Sequence, residues 1–287
     1  MTTLIIGGTG KTGLPLARRL EAAGHPVLLT SRAGKAPAPF DNRAVAFDWH
    51  DPTTFANPFN FKCDTPVDRV YIIGPAMYSD EELGIVRPFI DLARERGVRR
   101  FVLLTASGIE AGGESLGKVH GYLVDSGVEY AVLRPTWFMD NFRTDFSYGI
   151  KGHDEIVSAT GEGRIPFVSA EDIAQAAFEA LTAEKSPNQD YLLAGPESLS
   201  YDEAAKLLST VLGREITHRK VSLEERRQFF LHIGLPTGLA DRLAKTEVEA
   251  SLGHEDKLCA EFSADRKIVG KLRLKEYFEK NRDVWVK

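Results

Sequence analysis

The sequence predicts an α/β fold, a doubly wound parallel sheet with a smaller, mostly helical C-terminal lobe. Two observations carry this. Short apolar runs alternate with helical patterns over the first two-thirds of the 287 residues, and a glycine follows each of the clearest helical runs. Alternation of this kind puts parallel strands in one sheet, with right-handed crossovers packing helices on its faces.

The predicted strands are Leu4–Ile6, Val27–Thr30, Ala44–Phe47, Val70–Ile73, Phe101–Thr105 and Tyr130–Leu133. Each is short and apolar throughout, the pattern of a strand covered on both faces. Leu14–Ala23, Glu82–Arg96 and Gly117–Ser126 read as the intervening helices. Gly24, Gly97 and Gly127 fall where a left-handed C-cap ends a helix.

After Pro135 the pattern loosens, and 136–164 does not scan as one element. Ser169 with Asp172 opens a further helix, Asp172–Leu181, and Tyr191–Leu193 reads as a short strand. Ser200 with Glu203 and Ser222 with Glu225 are capping boxes, each heading an amphipathic stretch. Gly234 and Pro236 separate the later helices. The expected division is a nucleotide-binding domain over 1–140, to which 168–195 returns, and a substrate-side lobe from 141–167 and 196–287.

Composition excludes several classes of protein. With 43% hydrophobic and 27% charged residues the chain is ordinary and globular, and core burial needs no disulfide or metal. Cys63 and Cys259 stand far apart without metal-like spacing, so a reducing compartment is expected and no metal site. A net charge of −5 with interspersed signs predicts no nucleic-acid surface. No apolar run approaches the roughly 20 residues of a membrane span. Met1-Thr2-Thr3-Leu4 lacks a basic leader and enters a strand directly, which points to the cytoplasm.

Gly7-Gly8-Thr9-Gly10-Lys11-Thr12-Gly13 follows the first strand and opens the first helix. Glycines there let the backbone turn sharply and approach a pyrophosphate, whose charge meets the helix's N-terminal amides and dipole. Strand before and helix after make this a dinucleotide fingerprint of the Rossmann type. Lys11 adds positive potential near the phosphates. The second strand ends in Ser31-Arg32, with Lys35 close behind, where an NAD site usually carries an acid for the ribose 2′-hydroxyl. A guanidinium there suits a 2′-phosphate, so NADP(H) is the expected cofactor. Asp48 and Trp49 follow the third strand, on the adenine side. Gly74 and Pro75 close the fourth strand, where the middle of the cofactor passes. Pro135 ends the sixth, beside the expected nicotinamide pocket.

The catalytic face is incomplete. A short-chain ketone reductase carries Tyr-x-x-x-Lys and a serine on the preceding strand. Thr105-Ala106-Ser107 fills the serine position and Lys118 the lysine, where it can bond the nicotinamide ribose. Glu114, not tyrosine, stands four residues before Lys118. Hydride addition to a ketone makes an alkoxide that needs a tuned acid, whereas addition to an iminium cation gives a neutral amine and needs none. His120 and Tyr122 are the alternative acids. Trp137, Phe138, Met139 and Phe142 offer apolar area for a planar, aromatic or polycyclic organic substrate, or else pack the lobe. Asp140 and Asn141 are polar points in that segment, and Asp140 could attract a cation.

With these residues in hand, the chain resembles the NmrA-like branch of atypical short-chain dehydrogenases/reductases, and within it the festuclavine/agroclavine dehydrogenases of ergot alkaloid biosynthesis. Ile5-Ile6-Gly7-Gly8-Thr9-Gly10-Lys11-Thr12, Phe47-Asp48-Trp49, 99–107 and Gly117-Lys118-Val119-His120 carry the superfamily likeness. The most specific match runs from Val128 to Phe142, and within it Trp137-Phe138-Met139-Asp140-Asn141-Phe142 points to the alkaloid branch. The resemblance runs nearly the whole length. It implies NADPH-dependent reduction of a cyclic iminium formed from an aldehyde and a secondary amine. Two alternatives stay open: a quinone, enone or other carbonyl-conjugated reductase, and a non-catalytic dinucleotide sensor of the NmrA type.

Overall fold

The computed structural model describes residues 1–75, 79 and 81–287. The chain opens β1 (Thr2–Ile5), α1 (Gly13–Ala22), β2 (Val27–Ser31), β3 (Ala44–Ala46), α2 (Asn57–Asn60), β4 (Val67–Ile73), α3 (Glu82–Glu95), β5 (Arg100–Leu104), α4 (Leu116–Asp125) and β6 (Glu129–Pro135). It continues α5 (Ser147–His153), β7 (Glu155–Ser158), α6 (Ala170–Thr182), β8 (Gln189–Ala194), α7 (Tyr201–Leu212), β9 (Thr217–Lys220), α8 (Leu223–His232), α9 (Thr237–Ser251), α10 (His254–Glu261), β10 (Lys267–Val269) and α11 (Leu274–Lys280).

The main sheet has eight strands in the order β10-β8-β6-β5-β4-β1-β2-β3. Its pairings β1 with β2 and β4, β2 with β3, and β4 with β5 are parallel, as are β5 with β6 and β8 with β10. The doubly wound expectation is therefore met, with flanking helices and each predicted strand found within a few residues of its expected ends. Gly24, Gly97 and Gly127 all have positive φ after their helices. Both capping boxes form, Ser200 with Glu203 and Ser222 with Glu225. Three strands are additions to the sequence reading: β7 and β9, which pair in parallel as a separate two-stranded sheet, and β10. A short helix, α5, also lies in the stretch that did not scan, and Asp154 ends it at φ 57°.

The chain forms two compact units, Met1–Arg134 with Ile173–Tyr191, and Pro135–Asp172 with Leu192–Lys287. In the first, Leu4, Leu28, Val70, Phe101 and Val132 of the strands meet Val86, Phe89, Ile90, Val119 and Leu123 of α3 and α4 in one core. Arg100, at the head of β5, is buried and fixes the later segment to this unit. Its guanidinium donates to the carbonyls of Ala180, Leu181 and Ala183 and to the Glu129 carboxylate. Two of the final carbonyls of α6, those of Ala180 and Leu181, which no helical amide reaches, are thereby satisfied. In the second unit Met139, Phe142, Phe146, Ile156, Phe167, Tyr201, Phe278 and Trp285 belong to one core rich in aromatic side chains.

Candidate functional site

Five of the expected cofactor positions follow the carboxyl ends of adjacent strands in the first unit. The glycine turn follows β1, Arg32 follows β2, Asp48 lies beyond β3, Gly74 follows β4 and Thr105 follows β5. The strand order reverses between β1 and β4, because the chain winds outward through β2 and β3 and then returns to β1's other side. Open α/β sheets bind ligands in the crevice at such a switch point.

The turn is shaped for close approach. Gly7 has φ 72°, and the Gly10 amide donates to the Gly7 carbonyl at 2.9 Å. A β-carbon on Gly8 would sit 2.7 Å from Leu29, and one on Gly7 3.2 Å from Ile73, so the turn is wedged between β2 and β4. A β-carbon on Gly13 would sit 2.4 Å from the Gly7 carbonyl oxygen. Side chains are excluded where the first turn of α1 meets the loop, and Thr9 and Gly10 face solvent. That bare, amide-lined cradle at a helix N-terminus fits a dinucleotide's pyrophosphate. Thr12 is buried, and its hydroxyl oxygen accepts from Tyr71 at 3.0 Å. Lys11 is half-buried at the edge of the turn.

Arg32 is exposed. Ser31 braces the loop that carries it, accepting from the Lys35 amide at 3.0 Å and donating to the Lys35 carbonyl at 2.7 Å. Asp48 accepts from the His50 amide at 3.0 Å, and its own amide donates to Thr54, so it shapes the turn after β3. The Trp49 indole donates to the Ile73 carbonyl at 2.9 Å and packs edge-on against Phe47. Gly74 abuts Leu116, 2.7 Å from where its β-carbon would be, and Pro75 is buried beside it.

Thr105 is tied to β6 through its amide and hydroxyl, both donating to the Leu133 carbonyl. Ser107 is buried. Lys118 lies half-buried in the first turn of α4 and Glu114 is exposed before it. His120, two residues further, points elsewhere, because i and i+2 do not share a helix face. It is buried, its ring 6.3 Å from that of Tyr130. Burial holds its pKa below the usual range, an effect opposed by Asp190 and reinforced by Arg134. Tyr122 donates its hydroxyl to the Asp91 carboxylate.

Pro135 begins the second unit, and the expected substrate segment lies there. Met139 and Phe142 are fully buried in its aromatic core, which settles their role as packing. Trp137 and Phe138 are half-buried, and the Trp137 indole donates to Glu255 at 3.2 Å. Asn141 is half-buried. Asp140 is buried and occupied. It accepts from the Ala170 amide at 3.0 Å, at the head of α6, and pairs with Arg143 at 3.4 Å.

Sequence reasoning missed Tyr71, Glu255 and above all a buried ion pair between Arg134 and Asp190. A charge in the apolar run Tyr130-Ala131-Val132-Leu133-Arg134 was the available signal, since a buried charge requires a partner. Among the described residues no cluster of His, Cys, Asp and Glu is arranged to hold a metal, and no helix is long and apolar enough to cross a membrane.

A parallel sheet with a glycine turn at its switch point defines a dinucleotide-binding protein of the Rossmann type. The NAD(P)H-binding family model matches residues 7–184. Festuclavine synthase I of Penicillium roqueforti is 42% identical over 268 residues, covering 90% of this chain and 91% of the relative. Agroclavine dehydrogenase of Claviceps fusiformis is 37% identical over 293 residues, covering 100% and 99%. The Citrobacter sp. triphenylmethane reductase solved with NADP(H) superposes with a TM-score of 0.75 at 24% identity, covering 98% and 99%. The chain belongs to the NAD(P)H-binding family, together with the festuclavine and agroclavine enzymes, and is an NAD(P)H-dependent oxidoreductase.

Proposed function

We propose that this enzyme uses NADPH to reduce a cyclic iminium of alkaloid type, without a side-chain proton donor. Three positions where a proton donor would stand carry this reading. Glu114 stands where the tyrosine of a ketone reductase would be, the Tyr122 hydroxyl is held by Asp91, and His120 is buried, which disfavours its protonated, proton-donating form. A general acid typically contributes about 10²–10⁴-fold, so a ketone substrate would leave that factor unclaimed. An iminium carbon accepts hydride and becomes a neutral amine, with no proton to supply. The names of the relatives, festuclavine synthase and agroclavine dehydrogenase, support a substrate of this class.

In this reading the amides of 7–13 hold the pyrophosphate, Arg32 pairs with the 2′-phosphate, and Lys118 bonds the nicotinamide ribose. NADPH supplies the hydride when bound. Trp137 and Phe138 offer apolar area to the substrate and Asn141 a polar contact. Asp140 stays in the proposal as a negative charge near that segment, although its bonds to Ala170 and Arg143 reduce what it offers a ligand.

The test is NADPH oxidation, followed by absorbance, against N-alkyl cyclic iminium ions, quinones and enones. Iminium ions should be reduced with kcat/KM at least about tenfold above the other classes, about 1.4 kcal/mol of preference. Faster turnover of quinones or enones would favour a carbonyl-conjugated substrate. Tight NADPH binding with no turnover of any of them would favour a sensor.

A further inference from the structure

The segment Thr105-Ala106-Ser107 leaves the carboxyl end of β5 and is anchored to β6 at both ends. Thr105 donates twice to the Leu133 carbonyl, by its amide at 2.8 Å and its hydroxyl at 3.2 Å. The Ser107 carbonyl accepts twice from the next residue of β6, from Arg134 Nε at 3.1 Å and Nη2 at 2.7 Å. The remaining terminal nitrogen, Nη1, donates to Asp190 at 2.7 Å. Arg134 and Asp190 are both buried, at 4% and 7% exposure. Asp190 belongs to β8, so one guanidinium joins the β5 loop, β6 and β8.

A planar guanidinium with three of its donors committed has one orientation. The peptide whose carbonyl takes two of those bonds is fixed with it. A dinucleotide held at the switch point with its 2′-phosphate beside Arg32 runs from β2 and β3 toward β4 and β5. Its nicotinamide half then lies on the side where Thr105 and Ser107 leave the sheet.

We propose that Arg134, oriented by Asp190, is a positioning residue that sets the Thr105–Ser107 rim for the nicotinamide half of the cofactor. This rests on the NADPH reading above. Arg134 touches neither substrate nor cofactor; it acts through the Ser107 peptide.

The test compares ligands that contain and lack the nicotinamide half. Wild type, Asp190→Asn, Arg134→Lys and the double variant Arg134→Gln/Asp190→Asn are titrated calorimetrically with NADPH and with adenosine 2′,5′-bisphosphate. The change in nicotinamide fluorescence on NADPH binding is recorded alongside. The double variant leaves no uncompensated buried charge, so it decides the matter if Asp190→Asn fails to fold. In Asp190→Asn and the double variant NADPH should bind about tenfold more weakly and lose its fluorescence change, because small misplacements of a contact surface are costly. Affinity for the bisphosphate should stay within about twofold. Arg134→Lys should fall between, since an ammonium cannot reproduce the fork. Equal changes for both ligands in folded variants, or none, would overturn the inference. Failure of wild type to bind either ligand would overturn the cofactor reading itself.

Discussion

Gly13 packs against the carbonyl of Gly7 so closely that an added β-carbon would lie 2.4 Å from its oxygen and 2.9 Å from the Gly8 α-carbon. Both neighbours are backbone, so no side chain can swing aside. Gly13→Ala must push α1 away from the turn, at a cost of roughly 1–3 kcal/mol typical of overpacking. It should lower the unfolding midpoint and weaken NADPH binding together. Gly84 is the control: it is exposed in α3 with nothing near its missing β-carbon. Gly84→Ala should stabilise by about 0.5–1 kcal/mol through helix propensity. Denaturant melts of the two variants check both signs.

Arg32 offers an exposed guanidinium on a loop held by Ser31. Charge-assisted hydrogen bonds are worth about 1.5–3 kcal/mol, so Arg32→Ala should weaken NADPH by about ten- to a hundredfold. NADH, which lacks the phosphate, should change little. Equal losses for the two coenzymes, measured by titration, would remove the phosphate assignment. Ser31→Ala should weaken NADPH less, because it loosens the loop without removing the charge.

The first unit was legible because its signals are local. A fully covered strand reads as an apolar run, and the glycines at Gly24, Gly97 and Gly127 mark helix ends by a backbone requirement. The glycine turn was legible for the same reason. β7 and β9 were not, since Glu155-Ile156-Val157-Ser158 and Thr217-His218-Arg219-Lys220 are short, carry no long apolar run and pair residues 62 positions apart. Only their mutual pairing identifies them, and nothing local encodes it. Met139, Phe142, Trp137 and Phe138 shared one apolar signature, and burial alone separates the first two as core from the half-buried pair. The partners of Arg134 lie 27 and 56 residues away, a separation that no motif spans.

Tyr122 and Asp91 supply a direct check on the missing acid. The tyrosine hydroxyl is committed to a carboxylate on α3, which also faces Arg87 at 3.5 Å and Arg94 at 3.8 Å. Tyr122→Phe leaves Asp91 with those two arginines. Turnover of an iminium should stay within about twofold, against the 10²–10⁴ a lost general acid would cost. Steady-state kcat at saturating NADPH gives the answer. A hundredfold fall with coenzyme affinity intact would return Tyr122 to the chemistry.

Two buried histidines give stability a defined pH dependence. Burial lowers the pKa of His120, beside Asp190, Arg134 and Tyr130, and of His218, which lies among Ser158, Asp202, Lys220 and Glu162. The ordinary value is 6.5 for both. Below it the unfolded chain takes up protons that the folded chain refuses, so stability rises with pH there. The contribution is complete above 6.5 and is lost as pH falls through the depressed folded values. Urea melts across pH 8 to 5 should show the decline begin near 6.5. His218→Asn should flatten it, and an unchanged slope would mean that His218 titrates normally in the fold.

Arg226 and Glu247 pair inside the second unit, each 5% exposed by side chain, with Nε 2.8 Å from Oε1 and 2.9 Å from Oε2. Glu247 also accepts from the Ala159 amide at 2.7 Å, and the guanidinium lies 4.4 Å over the Phe230 ring. Burial pushes the Glu247 carboxyl up, with Arg226 and the Ala159 amide opposing it. Removing one partner strands the other, so Glu247→Ala should cost about 3–5 kcal/mol through an uncompensated guanidinium and an unsatisfied amide. Replacing both with apolar side chains, as in Arg226→Met/Glu247→Leu, removes both charges and should recover most of that loss. The coupling from a double-mutant cycle in denaturant separates the cases. Additive losses would show that the two residues act independently, and the pair would then contribute packing rather than electrostatics.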